Sequence, residues 1–134
     1  MSTFLLEVVT PERKVFAEQV SMIVVKGTEG ELGILPNHIP LVTPLRIAPV
    51  TVKQDGKSHV IAVNGGFMEV RKDKVVLLAE SAELPEQIDV ERAQASKERA
   101  EQRIKGNKEE IDFRRAELAL QRALNRISIA DHKE

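Results

Sequence analysis

Residues 88–130 read IDVERAQASKERAEQRIKGNKEEIDFRRAELALQRALNRISIA, and this stretch decides the fold. Asp89 is placed to cap a first helix, and Gly106 is a usual helix end. Asn107 and Glu110 have the spacing of a capping box that starts a second helix. The stretch therefore predicts two helices joined by a short turn.

The second helix carries apolar residues at spacings of three and four, which predicts one face packed against a partner. That face comprises Phe113, Ala116, Leu120, Ala123, Leu124 and Ile127. The first helix has a weaker face, made of Ala93, Ala100 and Ile104. Alanines bury little area, and apolar burial contributes only about 25 cal/mol per Å². We therefore predict an antiparallel hairpin that is weakly held and able to act as a movable arm.

The first part of the chain consists of short apolar segments separated by turn signals, which is typical of an all-β sandwich or barrel. The predicted strands are residues 4–9, 15–25, 59–63, 67–70 and 75–79. We also predict a very short strand within residues 30–38, and short edge strands within residues 41–52 because Pro44 and Pro49 interrupt that segment. Asn64, Gly65 and Gly66 are interpreted as a turn between two of them.

Pro85 marks the domain boundary, because proline disfavours helix in the residue before it and the period changes beyond it. We therefore predict a β domain over residues 1–84, a linker over 85–87 and a helical hairpin over 88–134. The fold class is α+β by segregation, with an N-terminal β-sandwich followed by a C-terminal two-helix antiparallel hairpin.

Composition excludes several function classes. The 134 residues include 20 Lys and Arg against 21 Asp and Glu, and aromatic content is 3% with no Trp or Tyr. This balance argues against a nucleic-acid or lipid coat. There is no Cys, and the scattered His38, His59 and His132 predict no metal site. No apolar run approaches eighteen residues, so we expect a soluble chain that meets a membrane only through a complex.

No catalytic constellation is present in the sequence. Gly30 and Gly33 lack the lysine and the following helix of a phosphate-binding loop. We therefore expect no enzyme activity from this chain, and any bound ATP would be sensed rather than hydrolysed.

Four motifs together carry a resemblance to a known family. They are Gly30-x-x-Gly33-x-Leu35-Pro36-x-His38, Val8-Val9-Thr10-Pro11 with Phe16, Asn64-Gly65-Gly66-Phe67, and Ile88-Asp89-x-x-Arg92-Ala93. With these motifs the chain resembles the epsilon subunit of bacterial F-type ATP synthases over nearly its whole length. The resemblance implies a ten-stranded β-sandwich on the central stalk, in contact with the gamma subunit and the ring of c subunits.

The same resemblance implies a location on the cytoplasmic face of the cell membrane, as a peripheral rotor subunit. It implies that the extended hairpin contacts the catalytic alpha and beta subunits and inhibits ATP hydrolysis. Thr10, Glu31 and His38 match the family surface that meets the c ring. Residues 41–45 are interpreted as core that presents one part to gamma.

The Ile-Asp-x-x-Arg-Ala motif further implies that ATP, as a regulatory ligand, binds the compact hairpin. The predicted ATP site is Glu83, Ile88, Asp89, Arg92, Ala93, Arg99, Arg122 and Arg126, with Arg103 and Arg115 in support. Spacings of seven and eleven place the arginines of each helix on one face, as guanidinium forks for phosphate oxygens. Glu83 and Asp89 suit the adenine amino group or a ribose hydroxyl.

A simpler interpretation of these residues stays open at the level of sequence. The arginines would pair with Glu91, Glu98, Glu101 and Glu117 on solvated faces, and Asp89 would only cap a helix. Two other function classes also remain, a free-standing adenine-nucleotide sensor and a helical adaptor domain.

Overall fold

The computed structural model describes residues 2–106 and 113–130 in full and the backbone of residues 110–112. Its strands are β1 Phe4–Val9, β2 Lys14–Val20, β3 Met22–Gly27, β4 Gly30–Ile34, β5 Leu41–Gln54, β6 Lys57–Val70, β7 Lys74–Ala79 and β8 Ala82–Glu83. A 3₁₀ turn, Pro85–Gln87, precedes the helices α1 Val90–Gly106 and α2 Glu110–Ala130. The chain divides into two compact units between Leu84 and Pro85.

The strands pair in the order β2-β1-β7-β6-β5-β3-β4, and β8 pairs with β6. One apolar core collects alternate residues of these strands, including the fully buried Leu6, Ile23, Ile61 and Leu77. The predicted fold class is confirmed. The resemblance implied ten strands, whereas the described residues form eight, because β5 and β6 each run unbroken for 14 residues.

The prediction of short edge strands within residues 41–52 was wrong. β5 is one long strand that pairs with β6 along its whole length and with β3 on its other side. The register between β3 and β5 shifts between Val24 and Gly27, and Pro49 lies within the shifted part. A proline has no N–H for the ladder, and an irregular pairing is where a strand accepts one.

The predicted turn at Asn64, Gly65 and Gly66 was also wrong, because β6 passes through these residues as a strand. The two glycines have φ of 81° and 130°, in the region that disfavours other residues. A Cβ at Gly66 would lie 2.1 Å from the Leu78 carbonyl oxygen. Glycine therefore allows β7 to lie directly against β6 at this point.

Two further segments differ from expectation. Residues 15–25 form two strands, since Ser21 leaves the first and donates its N–H to the Lys53 carbonyl at 2.8 Å. β4 occupies Gly30–Ile34, a longer strand than the loop chemistry predicted. The expected hairpin turn at Asp55 and Gly56 is present, with φ of 52° and 75°.

The helices α1 and α2 pack against each other through small residues. Ala93, Ala100, Ala116 and Ala123 are all at most 2% exposed. The predicted apolar face of α2 is only partly buried, because Phe113 is 37% exposed and Leu124 is 45% exposed. The predicted capping box depends on Asn107 and the Glu110 side chain, which lie outside the described residues.

Candidate functional site

The predicted nucleotide motif lies at the start of α1. Asp89 caps the helix, since its Oδ1 accepts the Arg92 N–H at 3.0 Å and its carbonyl accepts the Ala93 N–H at 3.0 Å. Ile88 is 5% exposed and Ala93 is completely buried. The motif thus supplies a helix N-terminus with apolar flanks, and its one carboxylate is already engaged through one oxygen.

The arginines can be placed along the hairpin by helix rise. Two contacting helices joined by three residues run antiparallel, and each residue advances the helix by about 1.5 Å. Arg92 lies 14 residues before the end of α1, while Arg122 and Arg126 lie 12 and 16 residues after the start of α2. Arg92 is therefore level with the space between Arg122 and Arg126.

Arg99 lies closer to the turn between the helices. Its Cα is about 8 Å further along the hairpin than that of Arg122, within reach of two extended arginine side chains. Its Nη2 donates to the Ser96 Oγ at 3.1 Å, so the side chain is directed back along α1. The supporting residues Arg103 and Arg115 are exposed on their own helices.

The simpler interpretation of these arginines required ion pairs within the hairpin. Among the described residues, no ion pair joins Arg92, Arg99 or Arg122 to a carboxylate. The ion pairs Glu7–Lys14, Glu7–Lys74 and Glu69–Arg71 lie in the β domain. Within the described part of the hairpin, these three guanidinium groups are thus not neutralised by carboxylates.

Glu83, the remaining predicted site residue, belongs to the β domain. It lies half-buried in β8, where it pairs with Ala62 of β6. β8 is the last strand before the 3₁₀ turn that leads to α1. Its backbone is therefore fixed by pairing within the sheet.

The predicted rotor residues occupy loops and an edge of the β domain. The Thr10 Oγ1 donates to the Arg13 carbonyl at 3.1 Å and closes the turn between β1 and β2. Glu31 lies exposed on β4 and borders a cleft of about 530 Å³ beside the start of β5. The His38 Nδ1 lies 2.7 Å from the Ile39 carbonyl oxygen in the loop after β4.

An apolar row crosses the outer face of the sheet, and no pattern in the sequence predicted it. Val9, Leu78, Phe67 and Pro44 are directly paired across β1, β7, β6 and β5. Phe67 is 52% exposed and Leu78 is 49% exposed, whereas their neighbours in the strands face the core. We call these four residues the outer row. Val42, 66% exposed, lies on the same face.

Ion pairs border the outer row. Glu7 Oε2 lies 2.6 Å from the Lys14 Nζ, and its Oε1 lies 2.9 Å from the Lys74 Nζ. Hydrogen bonds from these two lysines lower the pKa of Glu7 to about 2. Arg71 pairs with Glu69, and this hydrogen bond raises the pKa of the arginine. An apolar patch with a charged border is typical of a protein interface.

Comparison with known proteins places these features in a family. Residues 3–85 match the beta-sandwich domain of the ATP synthase delta/epsilon chain, and residues 86–131 match its long alpha-helix domain. The ATP synthase epsilon chain of Halalkalibacterium halodurans is 56% identical over 97% of this chain and 98% of its own length. That of Desulforamulus reducens is 53% identical over 94% and 96%.

The chain belongs to the epsilon-subunit family of F-type ATP synthases. A chain in a structure of the Euglena gracilis mitochondrial ATP synthase, comprising OSCP, F1 and c-ring, has a TM-score of 0.80 to this epsilon-family chain. The match is 24% identical and covers 98% of this chain and 83% of that chain. At that identity it shows a shared fold.

Within residues 2–106 and 113–130, no group of three or more His, Asp and Glu side chains is arranged to hold a metal ion. Neither α1 nor the described part of α2 is long and apolar enough to cross a membrane.

Proposed function

We propose that this epsilon-family chain is a regulatory rotor subunit of an F-type ATP synthase. It links the central stalk to the c ring on the cytoplasmic face of the membrane, and it does not itself catalyse a reaction. Its hairpin inhibits ATP hydrolysis when extended against the catalytic alpha and beta subunits. ATP bound to the compact hairpin holds the arm in its non-inhibitory form.

The observation that carries this proposal is the set of hairpin arginines without ion-pair partners in the described structure. Arg92, Arg122 and Arg99 span about 11 Å along the hairpin axis, and a polyphosphate offers the oxygens that their guanidinium forks bind. Asp89 retains one carboxylate oxygen for the adenine amino group or a ribose hydroxyl. Ile88 and Ala93 are buried, so they hold the start of α1 in place and offer no surface to the base.

The ligand acts by differential binding. The helices of the hairpin are held mainly by alanines, so the compact form has little apolar area to stabilise it. ATP that binds only the compact form stabilises it by RT ln(1 + [ATP]/Kd), about 2.7 kcal/mol at a hundredfold excess over Kd. Such a term shifts a balanced equilibrium about a hundredfold.

Calorimetric titration of the full chain with ATP tests the site. Arg122→Ala and Arg126→Ala each remove a guanidinium from the proposed cluster, and we expect each to raise the Kd by about tenfold or more, as for a charge-assisted hydrogen bond. Arg114→Ala removes an exposed arginine from the same helix and is the matched control. ATP binding equal to that of the parent in both variants would remove the cluster from the site.

The β domain offers two surfaces for the rotor. We propose that the outer row, with Val42, docks on an apolar face of gamma, because its charged border gives the contact a fixed orientation. Thr10, Glu31 and His38 lie on turns and an edge strand that are open to the polar loops of the c ring. Only part of the 41–45 segment serves gamma, because Leu45 is buried in the core.

A further inference from the structure

Glu31 follows directly after the tip of the β3–β4 hairpin, which comprises residues 27–30. Gly27 and Gly30 pair with each other and flank a turn of two residues. Neither glycine has a side chain that can pack, and the φ of Gly30 is 138°, in a region that other residues avoid. A cleft of about 530 Å³ lies between this hairpin and the start of β5. Side-chain packing therefore does little to hold the tip in place.

The ladder between β3 and β5 is interrupted just before the tip. From the pair of Val24 with Thr51, an unbroken ladder would bring Gly27 opposite Ala48, but Gly27 is opposite Leu45. The regular pairing of β3 with β5 thus does not extend to the tip. The tip is held to β5 by contacts of its own.

Those contacts involve both backbone groups of Thr28 in the turn. The Thr28 N–H donates to the Pro44 carbonyl at 3.3 Å. The Thr28 carbonyl accepts a hydrogen bond from the Arg46 Nη2 at 3.0 Å. A charged donor makes a shorter and stronger hydrogen bond than a neutral one. Arg46, to which the proposed function gives no role, therefore supplies the stronger of these two hydrogen bonds.

We propose that Arg46 is a positioning residue that fixes the tip of the β3–β4 hairpin and so directs Glu31 towards the polar loops of the c ring. The inference rests on the proposed contact between Glu31 and the c ring, and it requires no contact between Arg46 and the ring. Pro44 belongs to the outer row. The same segment of β5 therefore connects the proposed gamma contact to the proposed c-ring contact.

Amide exchange in the full chain without partners tests whether Arg46 fixes the tip. Arg46→Met removes the donor and keeps an apolar stem, whereas Lys53→Met removes an exposed positive charge from the same strand and is the matched control. We expect the Thr28 amide to exchange about tenfold faster in Arg46→Met, as for one lost hydrogen bond, and at the parent rate in Lys53→Met. Amides of β1 report global unfolding. A Thr28 rate that is unchanged in Arg46→Met, or that rises only as much as the β1 rates, would overturn the inference.

Binding of the gamma-bound chain to purified c ring tests whether the position of the tip matters for the rotor contact. The variants are Glu31→Gln, Arg46→Met and the two combined. We expect each single variant to weaken binding about threefold to tenfold, as for the loss of one hydrogen bond. The double variant should bind as Glu31→Gln does, because Arg46 acts only through Glu31.

The possible results separate this inference from the proposed function. If Glu31→Gln weakens binding and Arg46→Met does not, the c-ring contact stands and the role of Arg46 is refuted. If Arg46→Met weakens binding by the same factor with and without Glu31→Gln, Arg46 acts independently of Glu31, which also refutes the positioning role. If Glu31→Gln has no effect, the proposed contact of Glu31 with the c ring fails, and the inference fails with it.

Discussion

Glu7 is a carboxylate held on the outer face of β1 by two ammonium groups. Hydrogen bonds from Lys14 and Lys74 lower its folded pKa to about 2, from an ordinary value of 4.5. Because the folded pKa lies below the unfolded one, the stabilisation is fully present above about pH 4.5. It is lost as the pH falls from there towards 2.

Glu7→Gln should therefore flatten the acid limb of the stability curve. We expect the parent to lose free energy of unfolding more steeply than the variant between pH 4.5 and 2, and to be the more stable protein at pH 7. Urea midpoints measured across this range provide the test. Glu29→Gln removes the same charge from an exposed turn as a control. Parallel curves for the parent and Glu7→Gln would contradict the assignment.

At the scale of elements, the sequence predicted the type and order of the strands and helices better than it predicted where a strand runs without a break. Asp89 and Gly106 marked the ends of α1 correctly, because capping is a local interaction. Pro44 and Pro49 suggested broken edge strands, yet β5 is continuous. A sequence does not reveal towards which neighbour the missing N–H would point, and that direction decides whether a proline is tolerated.

The outer row was not predictable for a related reason. β7 reads KVVLLA, an apolar run without alternation, so Leu77 in the core and Leu78 on the surface look alike in sequence. Their difference arises only from the pairing with β1 and β6. For the proposed nucleotide site, spacing placed the arginines of each helix on a shared face. The lack of ion pairs at Arg92, Arg99 and Arg122 among the described residues could be seen only in the structure.

The outer row leads to a prediction about assembly. Phe67→Asp places a charge at the centre of the proposed gamma contact, and we expect gamma binding to weaken by about tenfold or more, as for an aromatic anchor. Affinity for purified gamma measures this effect. Leu35→Asp puts the same charge on an exposed apolar residue outside the row, as a control. Equal weakening by both variants would mean that general surface charge, not the row, governs binding.

For the whole molecule, the proposed switch depends on a small difference in free energy. The β domain has its own large apolar core. The hairpin, by contrast, buries mainly small side chains between α1 and α2. In its described part, Arg92, Arg99 and Arg122 form no ion pair with a carboxylate. An anionic ligand thus has both a weakly held element to act on and charges to bind.

A full chain that carries spin labels at Lys57→Cys and Ser128→Cys makes the effect of ATP on the hairpin equilibrium measurable. If the compact and extended forms are balanced without ligand, ATP at a hundredfold excess over Kd should raise the compact fraction from about half to about 99%. The mean distance between labels at Lys57→Cys and Ser128→Cys should then change along the calorimetric binding curve. With Arg122→Ala and Arg126→Ala combined, the same change should require more ATP, whereas Arg114→Ala should follow the parent. A distance that is constant over the titration while calorimetry records binding would mean that ATP occupies a site without controlling the arm, because a ligand with equal affinity for both forms shifts neither.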